Sequence, residues 1–297
     1  MLTKKIHFLS DDKRFFSILL MIIGSVAISF NGLVLRKIDL ADDWTIIFYR
    51  ALAFSSSILC YLFFKYRKDI FKIIKKVGYY GLMGGVVLGI SNIFFILSMM
   101  SISVANTVFT ISLIPFITAL LAFLVLREKL AKITIYTMMG AFIGLSVMFY
   151  ASLQIGALWG NIMALLTAIC FSVFTIILRL NKNIDMLPCL LLSGIIAMSI
   201  SSIQKMGALQ ISSHDFLLCF LLGGVMSGFV NCCFVFAIRH LIAAEVTLFF
   251  FIEIALSPFW VWFFLNETVN EDTLIGGIII LVSLLIRSLY FRLIIYN

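Results

Sequence analysis

The chain has 297 residues, of which 63% are hydrophobic and 12% are charged, and its formal net charge is +8. A soluble domain of this length cannot bury so much apolar surface, so the composition excludes a soluble protein and predicts an all-α integral membrane protein. The positive charge does not indicate nucleic acid as a partner, because the basic residues of membrane proteins collect in cytoplasmic loops.

A polar tail, residues 1–14, precedes ten apolar stretches that we number as segments 1 to 10. A transmembrane helix needs about 20 apolar residues, and each stretch meets or approaches that length. The first is too long for the core of a signal peptide and is followed by nine more. In chain order the segments cover residues 15–35, 43–64, 77–99, 104–126, 133–152, 157–178, 186–205, 215–238, 243–265 and 272–292.

Lysines and arginines fall almost entirely on alternate loops. With the N-terminus in the cytoplasm, 18 of them lie on the cytoplasmic side and only Arg36, Lys37 and Lys205 lie outside. Arg50 lies within segment 2. Cytoplasmic loops carry an excess of such residues, so we predict a multi-pass protein of the bacterial inner (plasma) membrane with both termini in the cytoplasm.

The second half of the chain repeats the first at an offset of 139 residues. Asn92 falls on Asn231, Ala105 falls on Ala244, and the small-residue face of segment 3 falls on that of segment 8. The glycines in register are Gly84 with Gly223, Gly85 with Gly224 and Gly89 with Gly228. Such small residues allow helices to approach closely.

The repeat divides the chain, after its tail, into halves at 15–152 and 153–297, with five segments each. Because five is odd, the second half begins on the opposite side of the membrane from the first. The predicted fold is therefore ten transmembrane helices in two inverted five-helix repeats, the plan that many transporters use to alternate access to a central site.

Two charges lie deep in the predicted segments. Glu253 lies near the middle of segment 9, and Arg50 lies about 10 Å inside segment 2 at 1.5 Å per residue. Intramembrane charges normally face a cavity or a partner. Either the two bind the ammonium and carboxylate of an amino-acid-like solute, or Glu253 binds a cation, or Arg50 has a structural role at the headgroups, the backbone or Glu253.

Mid-segment prolines and amides supply further candidates. Pro115 in segment 4 and Pro258 in segment 9 predict bends that gate a path, because an intramembrane proline frees backbone groups. The amides Asn31, Asn92, Asn106 and Asn231 either hold helices together or line the cavity. Trp260 is either an interfacial belt residue or a wall of the site.

Several kinds of chemistry are missing from the sequence. Every aspartate and histidine lies at a predicted segment edge or in a loop, the six cysteines show no metal-ligand spacing, and no nucleotide-binding loop is present. We therefore predict no enzyme, no catalytic residue, no metal and no cofactor. A solute gradient or a proton gradient then drives any transport.

The chain resembles the EamA-type branch of the drug/metabolite transporter superfamily. The resemblance rests on Glu253-Ile-Ala-Leu-Ser-Pro-Phe-Trp through Asn266-Glu267, on Leu126-Arg127-Glu128 after Pro115, and on Phe48-Tyr49-Arg50. It implies a carrier for a small polar metabolite, with export of an amino acid or related compound favoured. Uptake of a metabolite such as adenosylmethionine is the alternative, and a homodimer is compatible with it. A non-transporting membrane protein or a membrane-embedded enzyme is the alternative of another class.

Overall fold

The computed structural model describes residues 2–127, 132–154, 157–241 and 243–267, followed by the short pieces 271–272, 274–279, 282–283 and 286. Within these ranges the chain is built from helices and contains no β-strand. Glu128 and most of segment 10 lie outside the described residues.

Five segments form single helices. Segments 2, 3, 5, 6 and 7 correspond to Asp43–Tyr66, Ile70–Ser101, Lys132–Gln154, Leu158–Leu180 and Leu187–Gln204. A short 3₁₀ turn, Arg67–Asp69, joins the first two. The long helix of segment 3 changes direction at Gly78, whose φ of 55° is readily adopted only by a residue without a side chain.

The other four described segments are interrupted. Segment 1 is Leu2–Ile28 and Asn31–Leu35, segment 4 is Val104–Ile111 and Ile114–Leu126, and segment 9 is Ala243–Leu248 and Phe250–Leu265. Segment 8 runs from Ser213–Phe220 through a π-helical stretch, Leu221–Ser227, into Gly228–Ala237.

The two predicted prolines occupy different positions relative to these breaks. Pro115 directly follows the break in segment 4, as the second residue of the helix that begins at Ile114, where a missing N–H costs little. Pro258 lies inside the helix Phe250–Leu265, nine residues beyond the break at Phe249. The gating role of both prolines stays a prediction.

Segments 1–4 and 6–8 each form a continuous or interrupted helix long and apolar enough to cross a membrane, which makes seven candidates among the described residues. Segments 5 and 9 give shorter apolar helices there, Ile135–Gly144 and Ile252–Leu265. The chain is therefore a multi-pass membrane protein with a helical fold.

The two halves pack against each other rather than standing apart. Segment 3 lies against segments 6 and 7, segment 2 against 7 and 8, segment 1 against 8 and 9, and segment 4 against 6 and 9. Glycines permit the closest approaches. A Cβ on Gly89 would lie 2.8 Å from the Ser193 carbonyl oxygen, and one on Gly223 would lie 2.0 Å from the Arg50 carbonyl oxygen.

Candidate functional site

A cavity of about 80 Å³ lies where the two halves meet. Segments 1, 2, 3, 4, 6, 8 and 9 all contribute to its wall. Its polar lining consists of Asn31, Arg50, Ser91, Asn92, Thr167, Ser227, Asn231 and Glu253. The structure thus brings five of the seven predicted binding residues to one place, although they come from five different segments.

The cavity wall repeats the internal duplication. Twelve of its sixteen lining residues form six pairs separated by 139 positions. The pairs are Ile28 with Thr167, Ser91 with Val230, Asn92 with Asn231, Phe95 with Phe234, Ile111 with Phe250 and Ile114 with Glu253. Equivalent surfaces of the two halves therefore face each other across the cavity.

Two of the helix breaks open onto this cavity. Ile111 and Ile114 flank the break in segment 4, while Phe250 and Glu253 directly follow the break in segment 9. The breaks occupy nearly the same position in the two halves. Discontinuous transmembrane helices are typical of the substrate sites of transporters, because their interrupted backbone is tolerated only where it lines a cavity.

Arg50 is held in place by its neighbours, but not all of its hydrogen-bond donors have partners. Its side chain is buried, its Nη2 donates to Ser227 Oγ at 2.8 Å, and its guanidinium lies 5.5 Å from the centre of the Phe95 ring. Its Nε has no hydrogen-bond partner in the described part of the chain. A buried donor without a partner costs free energy, so an acceptor atom of a ligand in the cavity would gain by bonding to this N–H.

Glu253 is also unpaired. It keeps accessible surface and lines the cavity, and within the described ranges its carboxylate makes no hydrogen bond and no ion pair. It is not within 4.0 Å of the Arg50 guanidinium, so the structure contains no ion pair between the two deep charges. Opposite charges that share a cavity without neutralising each other can bind opposite ends of one molecule.

The three amides of the cavity differ in how far the protein satisfies them. Asn231 donates from Nδ2 to the Ser227 carbonyl oxygen at 2.9 Å. Asn31 is 3% exposed, and neither of its side-chain polar atoms has a partner in the described structure. Asn92 lines the cavity from the position equivalent to Asn231. Asn31 therefore has the largest unused hydrogen-bonding capacity.

Two predicted site residues lie elsewhere. The Trp260 ring stacks on Phe30 at 4.6 Å, and its Nε1 donates to Ser29 Oγ at 3.0 Å, so it joins segment 9 to the break in segment 1. Asn106 is buried near the start of the helix Val104–Ile111, where its backbone N–H is bound by Ser103 Oγ. Neither residue lines the cavity.

Sequence reasoning missed the aromatic part of the wall. Phe95, Phe171, Phe234 and Phe250 all line the cavity, as does Ser227. The chain has 30 phenylalanines, so composition does not distinguish these four. The repeat offered a signal for two of them, because Phe95 and Phe234 stand three residues after the paired amides Asn92 and Asn231.

Polar contacts join three segments at one end of the bundle, which we name the Glu267 end. Glu267 Oε2 lies 3.1 Å from Arg36 Nε, and its Oε1 accepts from the Val104 N–H at 3.1 Å. Arg36 Nη2 also donates to the Ile102 carbonyl oxygen at 2.6 Å. The end of segment 9 is thereby tied to the end of segment 1 and the start of segment 4.

Asp185 is the centre of a second set of contacts. Arg36 of the Glu267 end precedes segment 2, whereas two partners of Asp185 lie at the far end of that segment, so we name this the Asp185 end. Its carboxylate pairs with Lys65 Nζ at 2.7 Å, accepts from the Tyr66 hydroxyl, and lies 3.9 Å from Arg239 Nη1. Burial alone raises the pKa of Asp185, but the hydrogen bonds from Lys65 and Tyr66 outweigh it and lower that pKa below its usual value.

Comparison with known proteins decides the family. A model of the EamA-like transporter family matches the chain twice, at residues 15–150 and 158–289. The chain belongs to this family. The resemblance found in the residues around Glu253, Pro115 and Arg50 is thus confirmed, and the two matches follow the internal duplication. Members of the EamA-like family are membrane transporters and not enzymes.

Solved structures support the fold of this EamA-like chain. One crystal structure superimposes on 94% of this chain and on 98% of its own, with a TM-score of 0.71 and 12% sequence identity. At that identity the likeness shows the fold alone. No curated protein matches the sequence.

Proposed function

We propose that this EamA-like protein is a secondary transporter that moves an amino acid or related compound out of the cell across a bacterial inner membrane. Its ten transmembrane helices would form two inverted five-helix repeats with both termini in the cytoplasm. The lysine and arginine distribution supports this orientation, and the odd number of segments per repeat requires the inversion.

One observation carries the proposal: the cavity between the two halves is lined by an arginine and a glutamate, Arg50 and Glu253, that form no ion pair with each other. Of the other lining residues, eight are apolar or aromatic, and two more, Asn92 and Asn231, are the same amide at equivalent positions of the repeat. The charges depart from this symmetry, because Ile114 stands at the position equivalent to Glu253 and Cys189 at that equivalent to Arg50. In the proposal these two unmatched charges bind the ligand.

A zwitterion satisfies these groups together. Its carboxylate accepts from Arg50 Nε and the Asn31 amide, and its ammonium group binds the Glu253 carboxylate. Charge-assisted hydrogen bonds are about twice as strong as neutral ones, so the solute compensates for the buried charges when it enters. A free cation or a simple acid would satisfy only one of the two.

We expect alternating access, because contacts at the two ends of the bundle tie different segments together. The contacts of Glu267 join the ends of segments 1, 4 and 9, and those of Asp185 join the ends of segments 2, 7 and 8. Transport would open one end at a time, with segments 4 and 9 bending near Pro115 and Pro258. A gradient of the solute or of protons supplies the energy.

Transport in proteoliposomes tests this function. Purified protein should exchange an external labelled amino acid for the same unlabelled one inside, and empty liposomes should not. Glu253→Gln should reduce exchange at least about tenfold, because the ammonium group loses its charged partner. The matched control is Glu271→Gln, an exposed carboxylate away from the cavity. Normal exchange by a normally folded Glu253→Gln protein would remove Glu253 from the site.

Direction and substrate class are separate outcomes of the same assay. Everted membrane vesicles should accumulate the solute if the protein exports it, and right-side-out vesicles should accumulate it if the protein imports it. Competition by unlabelled adenosylmethionine alone, with no effect of amino acids, would identify adenosylmethionine rather than an amino acid as the substrate.

A further inference from the structure

Half of the sixteen residues that line the cavity are apolar or aromatic. Segment 4 contributes Ile111 and Ile114, and segment 6 contributes Thr167 and Phe171. The Thr167 hydroxyl donates its proton to the Met163 carbonyl oxygen at 2.8 Å. Segments 1 and 2 contribute the polar groups Asn31 and Arg50. Segments 4 and 6 add no charged group and no amide to the lining.

Three phenylalanines extend this apolar wall and support one another. The centre of the Phe171 ring lies 5.2 Å from that of Phe234 and 5.4 Å from that of Phe250, and the last two rings are stacked at 5.8 Å. Phe174, which is fully buried, packs behind them. A wall of mutually packed rings is rigid, so it does not adapt to a polar substituent.

We propose, on the basis of the proposed function, that the solute is an amino acid with a large apolar side chain, such as leucine, methionine or phenylalanine. Its charged groups bind Arg50, Asn31 and Glu253. Its side chain contacts Phe171, Phe234 and Phe250, and Phe171 is the residue that selects it.

The selection works through desolvation. A hydroxyl, amide or charged side chain placed against these three rings loses its water and gains no hydrogen bond from them, because a phenylalanine ring carries no N–H, O–H or carbonyl group. An apolar side chain has no hydrogen bonds to water to lose, and its removal from water favours binding. Each additional methylene in such a pocket favours binding by about tenfold or more.

Phe171 is the best choice for a test because of its position. It is half-buried, it touches both other rings, and it comes from segment 6, which holds no charged group of the cavity. Shortening it enlarges the apolar space without altering Arg50 or Glu253. Its equivalent by repeat offset in the first half is Gly32, so no second ring duplicates its role.

The experiment measures exchange of a panel of amino acids in proteoliposomes, together with the stabilisation that each gives the purified protein against heat. Leucine, methionine and phenylalanine should exchange at least about tenfold faster than serine, asparagine or lysine at equal concentration. They should also raise the melting temperature, since a ligand that binds only the folded state stabilises it. The amine and the N-acetyl derivative of phenylalanine should do neither.

Variants then assign the preference to one residue. Phe171→Ala should lose most of the preference for phenylalanine over serine, whereas Phe171→Leu should keep a preference for apolar side chains. Phe123→Ala is the matched control, because that ring lies on segment 4, is 46% exposed and does not line the cavity. The Leu variant keeps the test valid if the Ala variant fails to fold.

The outcomes separate the two proposals. If serine and lysine exchange as fast as leucine, the apolar preference is wrong while amino-acid transport stands. If no amino acid exchanges or stabilises the protein, the transport proposal itself fails. A preference that Phe171→Ala leaves unchanged would overturn the role of Phe171.

Discussion

Arg36 and Arg179 bind backbone carbonyl groups that occupy the same position in the two halves of the chain. Arg36 Nη2 lies 2.6 Å from the oxygen of Ile102, and Arg179 Nη1 lies 3.0 Å from that of Leu241, which is 139 residues later. Each carbonyl lies just before the first helix of an interrupted segment, segment 4 or segment 9. The duplication thus extends from the cavity to the backbone that precedes segments 4 and 9.

Loss of the ion pair between Arg36 and Glu267 should open the Glu267 end. Glu267→Gln removes that ion pair and weakens the bond to the Val104 N–H. The pair is partly exposed, so we expect a shift of about 1 kcal/mol in the conformational equilibrium, or about fivefold in population. A cysteine introduced at the cavity residue Ile28 should then react about fivefold faster with a membrane-impermeant thiol reagent applied from outside.

The matched control for Glu267→Gln is Asp69→Asn, which removes an exposed ion pair to Lys72 outside the closed ends. It should leave the labelling rate unchanged. The labelling of protein without the introduced cysteine is subtracted, because Cys60 is exposed. Equal rates with and without the Glu267 charge would show that the ion pair does not hold this end closed.

Ser227 should act by positioning Arg50. Its hydroxyl accepts the only hydrogen bond that the described structure gives the guanidinium, and hydrogen bonds to charged groups contribute about 1.5–3 kcal/mol. Ser227→Ala should therefore raise the KM for the solute by about tenfold with a smaller effect on the maximal rate. Ser227→Thr, which retains the hydroxyl, should restore most of the affinity.

Ser199→Ala is the control for this change, since that hydroxyl donates to its own helix and is exposed. A KM that is unaffected by Ser227→Ala would mean that the contact with Ser227 does not position Arg50 for binding.

Two neighbouring glycines should differ sharply in their tolerance of a methyl group. A Cβ on Gly223 would lie 2.0 Å from the Arg50 carbonyl oxygen, whereas one on Gly224 would meet its nearest neighbour at 3.4 Å. Gly223→Ala should destabilise the protein by about 1–3 kcal/mol, the usual cost of overpacking, and Gly224→Ala should have little effect. Thermal unfolding in detergent measures both, and equal melting temperatures would contradict the close packing of segment 8 on segment 2.

The proposed inverted topology would place Lys72 and Met206 on opposite sides of the membrane. Both are well exposed, Lys72 after segment 2 and Met206 after segment 7, which is the equivalent segment of the other half. In intact cells an impermeant reagent should label Met206→Cys and should label Lys72→Cys only after the cells are opened. Labelling of both from the same side would contradict the inversion.

Much of this organisation could be predicted from the sequence because duplication leaves a register. The offset that pairs Asn92 with Asn231 also pairs most of the residues of the cavity wall. Arg50 and Glu253 are easily recognised because they are charged residues within apolar segments. The family followed from the same residues.

Other features depend on packing between distant segments and have no local signal. The helix breaks at Ser29–Phe30 and at Phe249 contain no proline. At the first break, the Trp260 ring stacks on Phe30 and its N–H donates to Ser29. A tryptophan near a membrane interface has the same sequence context whether it faces lipid or fills such a gap. The role of Phe171 is hidden for the same reason among many phenylalanines.

The paired wall of the cavity has a consequence for how such carriers diverge. Most of the cavity wall is shared by both copies, whereas the charges come from single positions whose counterparts are Cys189 and Ile114. If these charges bind the solute as proposed, replacing one residue in one copy would change what is carried and leave the shared wall as it was. Descendants of one doubled ancestor can acquire new cargoes by point mutation without having to rebuild their hinges.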